Sequence, residues 1–316
     1  MQSHSDKISI ALATYNGAVF IDALLASLVA QTHQSFELVI SDDGSSDDTL
    51  AIIHRYMERM DIKILADGRK RGILRNFENA LNGCSSDYIA LCDQDDVWAP
   101  EKLALTLDAT KQLESAFEQN RPVLVFSDLE IVDQSLNRID ASFFHHTNKS
   151  AQAHNFEDFL LGNHVPGCAM FFNRALLNVA LPFPAVDIHD WWLIQVAALK
   201  GCLGFIERPL VKYRQHSGNS IGLGTKLGIL GHVARASLQP IQIVRRLSSK
   251  IDLQSKSARK NFIVLGERFS TDVAKNNAYQ LLLTRGWLSV FLHFVKVKHG
   301  FRLIELMIML RKMRES

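Results

Sequence analysis

The stretch "YIALCDQDDVWAPEKL", Tyr88 to Leu103, places three carboxylates, Asp93, Asp95 and Asp96, directly after an apolar run and just before a proline that opens a helix. Asp93 and Asp95 are one residue apart, and in an extended segment leaving a strand that spacing directs both side chains the same way. Two hard oxygen donors facing one point suit Mg2+ or Mn2+, which keeps its remaining positions for water and phosphate oxygens. The spacing predicts a site for a metal-bound diphosphate. TYNG (14–17), DDGSSDD (42–48) and SD (127–128) also follow apolar runs. Each alone reads as a helix cap or turn. Together on one rim, carboxylates repel one another and persist most readily where a cation sits between protein and an anionic ligand.

The elements that would position these residues alternate strand and helix. KISIALA (7–13) precedes a helix over Ala18 to Gln31, with Ile21, Leu24, Leu25, Leu28 and Val29 on one face. FELVIS (36–41), a polar helix over Asp47 to Met60, IKILA (62–66), YIALC (88–92), a helix over Pro100 to Phe117 and VLVFS (123–127) continue the pattern. Near-continuous apolar strands separated by helices predict an α/β fold, a Rossmann-like, mostly parallel sheet with helices on both faces. Ligands bind such sheets outside the carboxyl ends of the strands, where the acidic turns fall.

The chain has 316 residues, 47% of them hydrophobic, enough to bury one large core plus an appendage. Cys84, Cys92, Cys168 and Cys202 show neither CxxC pairing nor zinc-ligand spacing and read as packing residues of a reducing compartment. MQSHSDKIS lacks a basic start and an apolar stretch, and no apolar run reaches about 18 residues, so the sequence predicts no secretory signal and no membrane span. The net charge of +2 conceals an asymmetry. Residues 1–224 hold 18 basic against 28 acidic side chains, and residues 225–316 hold 17 against 5. These bounds separate an acidic catalytic domain, 1–224, from a basic helical extension, 225–316.

TYNG, DDGSSDDT, the DxD of CDQDD and, further on, HDWW resemble family 2 of the inverting glycosyltransferases, with the GT-A fold, over about residues 7–222. VPGCAMFFNRALL, DIHDWWLIQVAALKG and RPLVKYRQHSGNSIG resemble in particular its bacterial rhamnosyltransferase branch, which builds surface polysaccharides from a dTDP-activated sugar. The resemblance implies that Ala13, Tyr15 and Asp43 line the donor nucleotide, with the Asp43 carboxylate accepting from a pyrimidine N–H. Asp42 either caps the turn or touches ligand. The resemblance makes Asp95 the direct metal ligand, sets Asp93 toward the ribose or the metal, and puts Gln94 beside the donor. In GRKRGILRNFENAL (68–81), Gly72, Arg75 and Asn79 match positions that face the sugar diphosphate, where an Arg fork would grip phosphate. A solvated basic run is the plain reading of the same stretch.

The family's base, the Asp of an ED-like motif, corresponds to Asp190 in an HD variant. It would remove the acceptor hydroxyl proton as the oxygen attacks the anomeric carbon. Asp190 could also be simply the N-cap of the following helix. His189 reads as an acceptor-orienting residue or a turn histidine, and Trp191 or Trp192 as an acceptor platform or core. His216 and Arg214, in a Gly-rich loop after the strand RPLVKY, would complete the metal shell or close over the diphosphate. The partners implied are a dTDP-sugar or UDP-sugar donor and a saccharide or lipid-linked acceptor, with Mg2+ or Mn2+ as cofactor and a cytoplasmic location. The basic extension, with GWLSVFLHFVKVKHGFRLIELMIMLRKM, reads as an amphipathic pair on the anionic inner face of the cytoplasmic membrane, or as a hairpin on the catalytic domain or at a homodimer interface. No nucleic-acid-binding motif accompanies its positive charge. The rival from another class is a non-catalytic saccharide-binding subunit, whose mark would be loss of Asp93, Asp95 or Asp190; all three are present.

Overall fold

The structure, a computed structural model, describes residues 6–116, 120–149, 151, 155–160, 162–216, 256–258 and 260–273. The chain begins with β1 (Ile8–Thr14), α1 (Ile21–Val29), β2 (Phe36–Asp42), α2 (Thr49–His54), β3 (Asp61–Leu65), α3 (Gly72–Gly83) and β4 (Tyr88–Asp93). Then come β5 (Val97–Trp98), α4 (Lys102–Ala116), β6 (Val123–Val132), β7 (Arg138–Asp140), α5 (Phe143–Thr147), β8 (Met170–Asn173), α6 (Arg174–Ala180), α7 (His189–Lys200) and β9 (Cys202–Arg214). Contacts divide the chain into one unit of Met1–Phe143 with Val165–Ser220 and a second of Phe144–His164 with Ile221–Ser316. In the second unit the described residues include a 3-10 turn at Phe156–Phe159, closed by a capping box between Asn155 and Asp158, and helical residues up to Val273.

The first unit is built on a nine-stranded sheet of order β3-β2-β1-β4-β8-β6-β9-β5, with β7 paired to β6. β1 runs parallel to both β2 and β4, and β6 parallel to β9. The order turns back at β1, so the crevice between β1 and β4 is the topological switch point where ligands of open α/β sheets bind. β1, β2 and β4 are buried along nearly their whole length because helices cover both faces, hence the unbroken apolar runs.

The structure departs from the expected sheet in three places. β8 inserts antiparallel between β4 and β6, so these two strands are not neighbours. The Ser127–Asp128 pair is not a strand end: β6 continues to Val132 through a register shift, and the Asp128 carboxylate accepts the backbone N–H groups of Leu129 and Phe143 at 2.8 and 3.1 Å. β9 is also longer than RPLVKY, because its early residues pair with β6 and its later ones with both β6 and β5. α4 starts at Lys102, two residues after the expected Pro100. Residues 217–255 and 274–316 lie outside the described residues, and with them the amphipathic pair expected near the C-terminus. Among the described residues no helix is long and apolar enough to cross a membrane.

Candidate active site

The register of the sheet brings the first acidic groups together. Ala13 stands level with Ser41 on one side and Asp93 on the other, and Thr14 is level with Asp42. The two aspartates after β2 then part company. Asp42, 1% exposed, is saturated: it accepts Thr14 Oγ1 at 2.9 Å, the N–H groups of Gly44 and Ser45 at 3.1 and 2.9 Å, and Ser45 Oγ at 2.6 Å. It is the turn cap of the two readings. Asp43 lies half-buried and reaches across to the start of α3, where it accepts the N–H of Gly72 at 3.0 Å and that of Arg71. A carboxylate oxygen can accept more than one hydrogen bond, so this anchoring fixes Asp43 while leaving it capable of receiving another N–H.

The rest of DDGSSDDT braces the TYNG loop. Ser45 Oγ, Thr49 Oγ1 and Asp47 Oδ2 accept the N–H groups of Asn16, Gly17 and Ala18 at 2.9, 2.8 and 3.0 Å. Gln94 clamps the loop from the other side, accepting the Tyr15 N–H at 2.9 Å and donating to its carbonyl at 3.1 Å. Both ends of its amide thus bond the Tyr15 backbone. The clamp also explains Gly17, where a Cβ would collide with the Gln94 carboxamide. Tyr15 is left 45% exposed, its hydroxyl receiving Lys70 Nζ at 3.2 Å.

α3 contributes less open surface than expected. Asn79 donates to Ser41 Oγ at 2.8 Å, and the buried Asn76 donates to the Thr14 carbonyl at 3.2 Å, so both tie the helix to strand ends. Arg75 Nη1 bonds Glu78 at 2.6 Å and the Phe183 carbonyl at 2.8 Å. That nitrogen is a strut to the segment after α6. Of the basic run, Arg71 pairs with Asp67, and that ion pair holds Asp67 down at about 2.

The DxD stretch turns instead of running on extended, which alters the donor set. β4 ends at Asp93, so Asp93 and Asp95 do not repeat a strand's two-residue alternation. The Asp95 Oδ2 meets His216 Nε2 at 2.8 Å, and His216 lies against Phe20 with ring centroids 4.4 Å apart. Asp93, Asp96 and Cys168 instead bring one carboxylate oxygen each and the thiol sulfur within 4.8 Å of one another. Burial, then the charges of Asp95 and Asp190, push the Asp93 carboxyl up to about 7. Burial, then the charges of Asp95 and Asp93, raise Asp96 well above its usual range. Such mutual repulsion is what a divalent cation would relieve, so the donor set fits one.

Arg214 is tied into the acidic turn. It is 4% exposed, and it donates through its backbone N–H to Asp96 Oδ1 at 3.1 Å, through Nε to the Asp95 carbonyl at 2.6 Å and through Nη1 to the Gln134 carbonyl at 2.5 Å. The end of β9 thus holds the acidic turn in shape. Lys102, fully buried, donates to the Cys168 carbonyl at 2.7 Å and stands 3.3 Å from the Trp98 ring centre. Burial lowers it to about 8.

The second half of the site arrives with α7. Its N-cap is Ile188, so Asp190 is not the cap but a first-turn residue, where the helix dipole favours an anion. Asp190 is 7% exposed and accepts the Trp191 N–H at 2.6 Å. His189 stacks on Phe77 with centroids 3.8 Å apart, and neither ring nitrogen finds a hydrogen-bond partner among the described residues. Burial alone drives it down to about 3. Trp192 is wholly buried with Nε1 on the Ala180 carbonyl at 3.0 Å, and Trp191 is 4% exposed; both are core, not an exposed platform.

A tight turn, Gly167–Ala169, joins the two halves. A Cβ at Gly167 would lie 3.1 Å from His189 Nε2 and 3.5 Å from Asp190 Cβ, while the next residue, Cys168, stands against Asp93 and Asp96. VPGCAMFFNRALL marked the branch, but no site role attached to its Gly167 turn or to Lys102, since a glycine beside a cysteine and a lysine on a helix match no ligand pattern. Asp96 was visible as the third carboxylate, but its role as a partner of Asp93 was not. Cys168, read as packing, is part of the polar cluster.

The strand order and acidic carboxyl edge define a sheet of the GT-A class, and solved structures share it. Staphylococcus aureus TarS residues 1–349, in complex with UDP-GlcNAc, superpose with a TM-score of 0.55 at 16% identity, covering 98% of this chain and 91% of that one. The mannosyltransferase PcManGT of Pyrobaculum calidifontis, in complex with GDP-Man and Mn2+, gives 0.51 at 16% identity, over 99% of this chain and 88% of that one. The description "Glycosyl transferase family 2" matches residues 9–179, and the chain belongs to that family. Among its relatives, the dTDP-rhamnosyl transferase RfbG of Shigella flexneri is 27% identical over 226 residues, 67% of this chain and 73% of RfbG. The UDP-Glc:alpha-D-GlcNAc-diphosphoundecaprenol beta-1,3-glucosyltransferase WfgD of Escherichia coli is 29% identical over 187 residues, 59% and 67% of the two chains.

Proposed function

We propose that this transferase is inverting and metal-dependent, and that it moves rhamnose from dTDP-rhamnose to a saccharide or lipid-linked saccharide acceptor in bacterial surface polysaccharide synthesis. The observation that carries the reading is that Asp190 and Asp93, 97 residues apart in sequence, stand close enough across the Gly167 turn for Asp190's charge to raise Asp93. A base and a leaving-group pole at one site are what a single displacement requires.

In this reading Tyr15 offers its exposed ring to the base, and Asp43 accepts the pyrimidine N–H while braced on the start of α3. Asp93 and Asp95, with His216, would hold Mg2+ or Mn2+, which supplies positive charge to the departing diphosphate. Asp190 takes the acceptor's hydroxyl proton at its carboxylate oxygen. Its place in the first turn of α7 and the bond from the Trp191 N–H keep it aimed. The neighbouring His189, neutral and lodged on Phe77, adds no competing positive charge. Similarity to RfbG supports the dTDP-rhamnose donor; the UDP-sugars in the names of WfgD and of the TarS complex support the alternative, a UDP-sugar donor. The basic extension supports docking on an anionic membrane face, where a lipid-linked acceptor would be met.

Calorimetry with dTDP, UDP and GDP, each with Mn2+ or chelator, tests the reading on wild type and Asp95→Ala. The expected result is metal-dependent dTDP binding that the variant loses. Turnover of dTDP-rhamnose should fall about 10²- to 10⁴-fold in Asp190→Asn with dTDP affinity retained. Preference for UDP would replace the donor, and absence of any nucleotide binding by folded protein would leave the non-catalytic saccharide-binding subunit.

A further inference from the structure

We propose that the thiol of Cys168 is a sulfur ligand of the cation site, acting with Asp93 and Asp96, and that it tilts the site toward Zn2+ and Cd2+ and away from Mg2+. The proposal rests on the metal-dependent reading only in sharing Asp93.

Three observations carry it. The donor atoms of Asp93, Asp96 and Cys168 all lie within 4.8 Å of one another. Ligands around a tetrahedral cation, at about 2.0–2.3 Å each, stand roughly 3.5 Å apart, so small side-chain rotations suffice. Asp96 is fully buried, its Oδ1 is taken by the Arg214 N–H, and among the described residues its Oδ2 has no hydrogen bond of ordinary geometry, with only the weakly donating thiol beside the carboxyl. A buried carboxylate oxygen left open in this way is costly unless a proton or a cation meets it.

Third, the turn carrying Cys168 is held from both sides. Lys102 grips the Cys168 carbonyl at 2.7 Å, and Gly167 lies so near His189 and Asp190 that a Cβ there would stand 3.1 Å from the His189 Nε2. The backbone that carries the sulfur is therefore tied down beside the carboxylates. Hard Mg2+ prefers an all-oxygen shell, whereas Zn2+ accepts mixed sulfur and oxygen donors. On binding such a cation the thiol releases its proton to the buffer and the sulfur lone pair forms the new bond.

Cd2+ titrated into the full chain, under a phosphine reductant that supplies no thiol, would report the contact through the ultraviolet thiolate-to-metal charge-transfer band. One equivalent of band is expected in wild type and none in Cys168→Ser or Asp96→Asn, with circular dichroism confirming that the variants fold. Zn2+ affinity should fall in Cys168→Ser by at least the roughly 10- to 100-fold that outer partners contribute to metal sites, while Mn2+ affinity, read by paramagnetic resonance, changes less. A band that survives in Cys168→Ser, or is missing from wild type, overturns the proposal. If Mn2+ binds and supports nucleotide binding without any Cd2+ band, this inference fails alone; if nucleotide binds and no cation does, the metal-dependent reading fails with it.

Discussion

Replacing His189 by leucine should make the protein more resistant to mild acid, and the size of the effect follows from the site. The imidazole sits on Phe77, 5% exposed, with both nitrogens unpartnered among the described residues, and burial holds it at about 3 against an ordinary 6.5. Because the folded-state value is depressed, the unfolded chain binds the proton first as pH drops. The neutral folded form is undisturbed above about 6.5, and stability is lost progressively as pH falls from there toward about 3. One unit is worth about 1.4 kcal/mol, so by pH 5 the histidine alone removes about 2 kcal/mol. Leucine has comparable bulk, cannot titrate, and also relieves buried polar atoms that cost about 1–3 kcal/mol each when unsatisfied. Urea unfolding of both proteins at pH 7.5 and pH 5 measures this directly. Other acids titrate in both chains and cancel in the difference. If the two stability curves run parallel between those pH values, His189 is charged or hydrogen-bonded in the folded protein, and the account of its pocket is wrong.

Two further predictions bear on the loop and the helix around the site. Gly17→Ala should drive the Gln94 amide off the Tyr15 backbone and weaken nucleotide binding by about tenfold, an interaction of about 1–2 kcal/mol; Gln94→Ala should cost about as much and the double variant no more than either, whereas losses that add would refute the clamp. Trp192→Ala should cost about 3–5 kcal/mol of stability through an emptied core site and the lost Ala180 bond, with donor affinity of the remaining folded protein unchanged; a selective loss of acceptor affinity in stable protein would return Trp192 to the acceptor site.

The order of strands and helices through β4 was legible in the sequence because it depends on local pattern: unbroken apolar runs such as SIALA and LVIS, amphipathic helices and acidic turns. So was the sheet edge on which the site lies, since the carboxyl ends of parallel strands are fixed by chain direction. The family was legible for a different reason, that several short motifs occur in order. Side-chain roles were less readable. Asp42 and Asp43 are chemically identical neighbours, yet one closes its own turn and the other reaches the start of α3, a distinction made by where the α3 backbone comes to lie. Arg75, Gln94 and Arg214 are polar beside the motifs, and the sequence did not foretell the carbonyls that folding brings to each of them.

What the sequence determined alone is thus the succession of elements and the acidic edge they share. Only the tertiary structure decided that β8 passes between β4 and β6, and that the turn before it sets Gly167 beside Asp190 and Cys168 beside Asp93 and Asp96. The physical reason is range. Periodicity and turn chemistry act over a few residues, whereas the donor set joins groups about 75 residues apart in the chain, whose meeting depends on register and packing across the whole sheet.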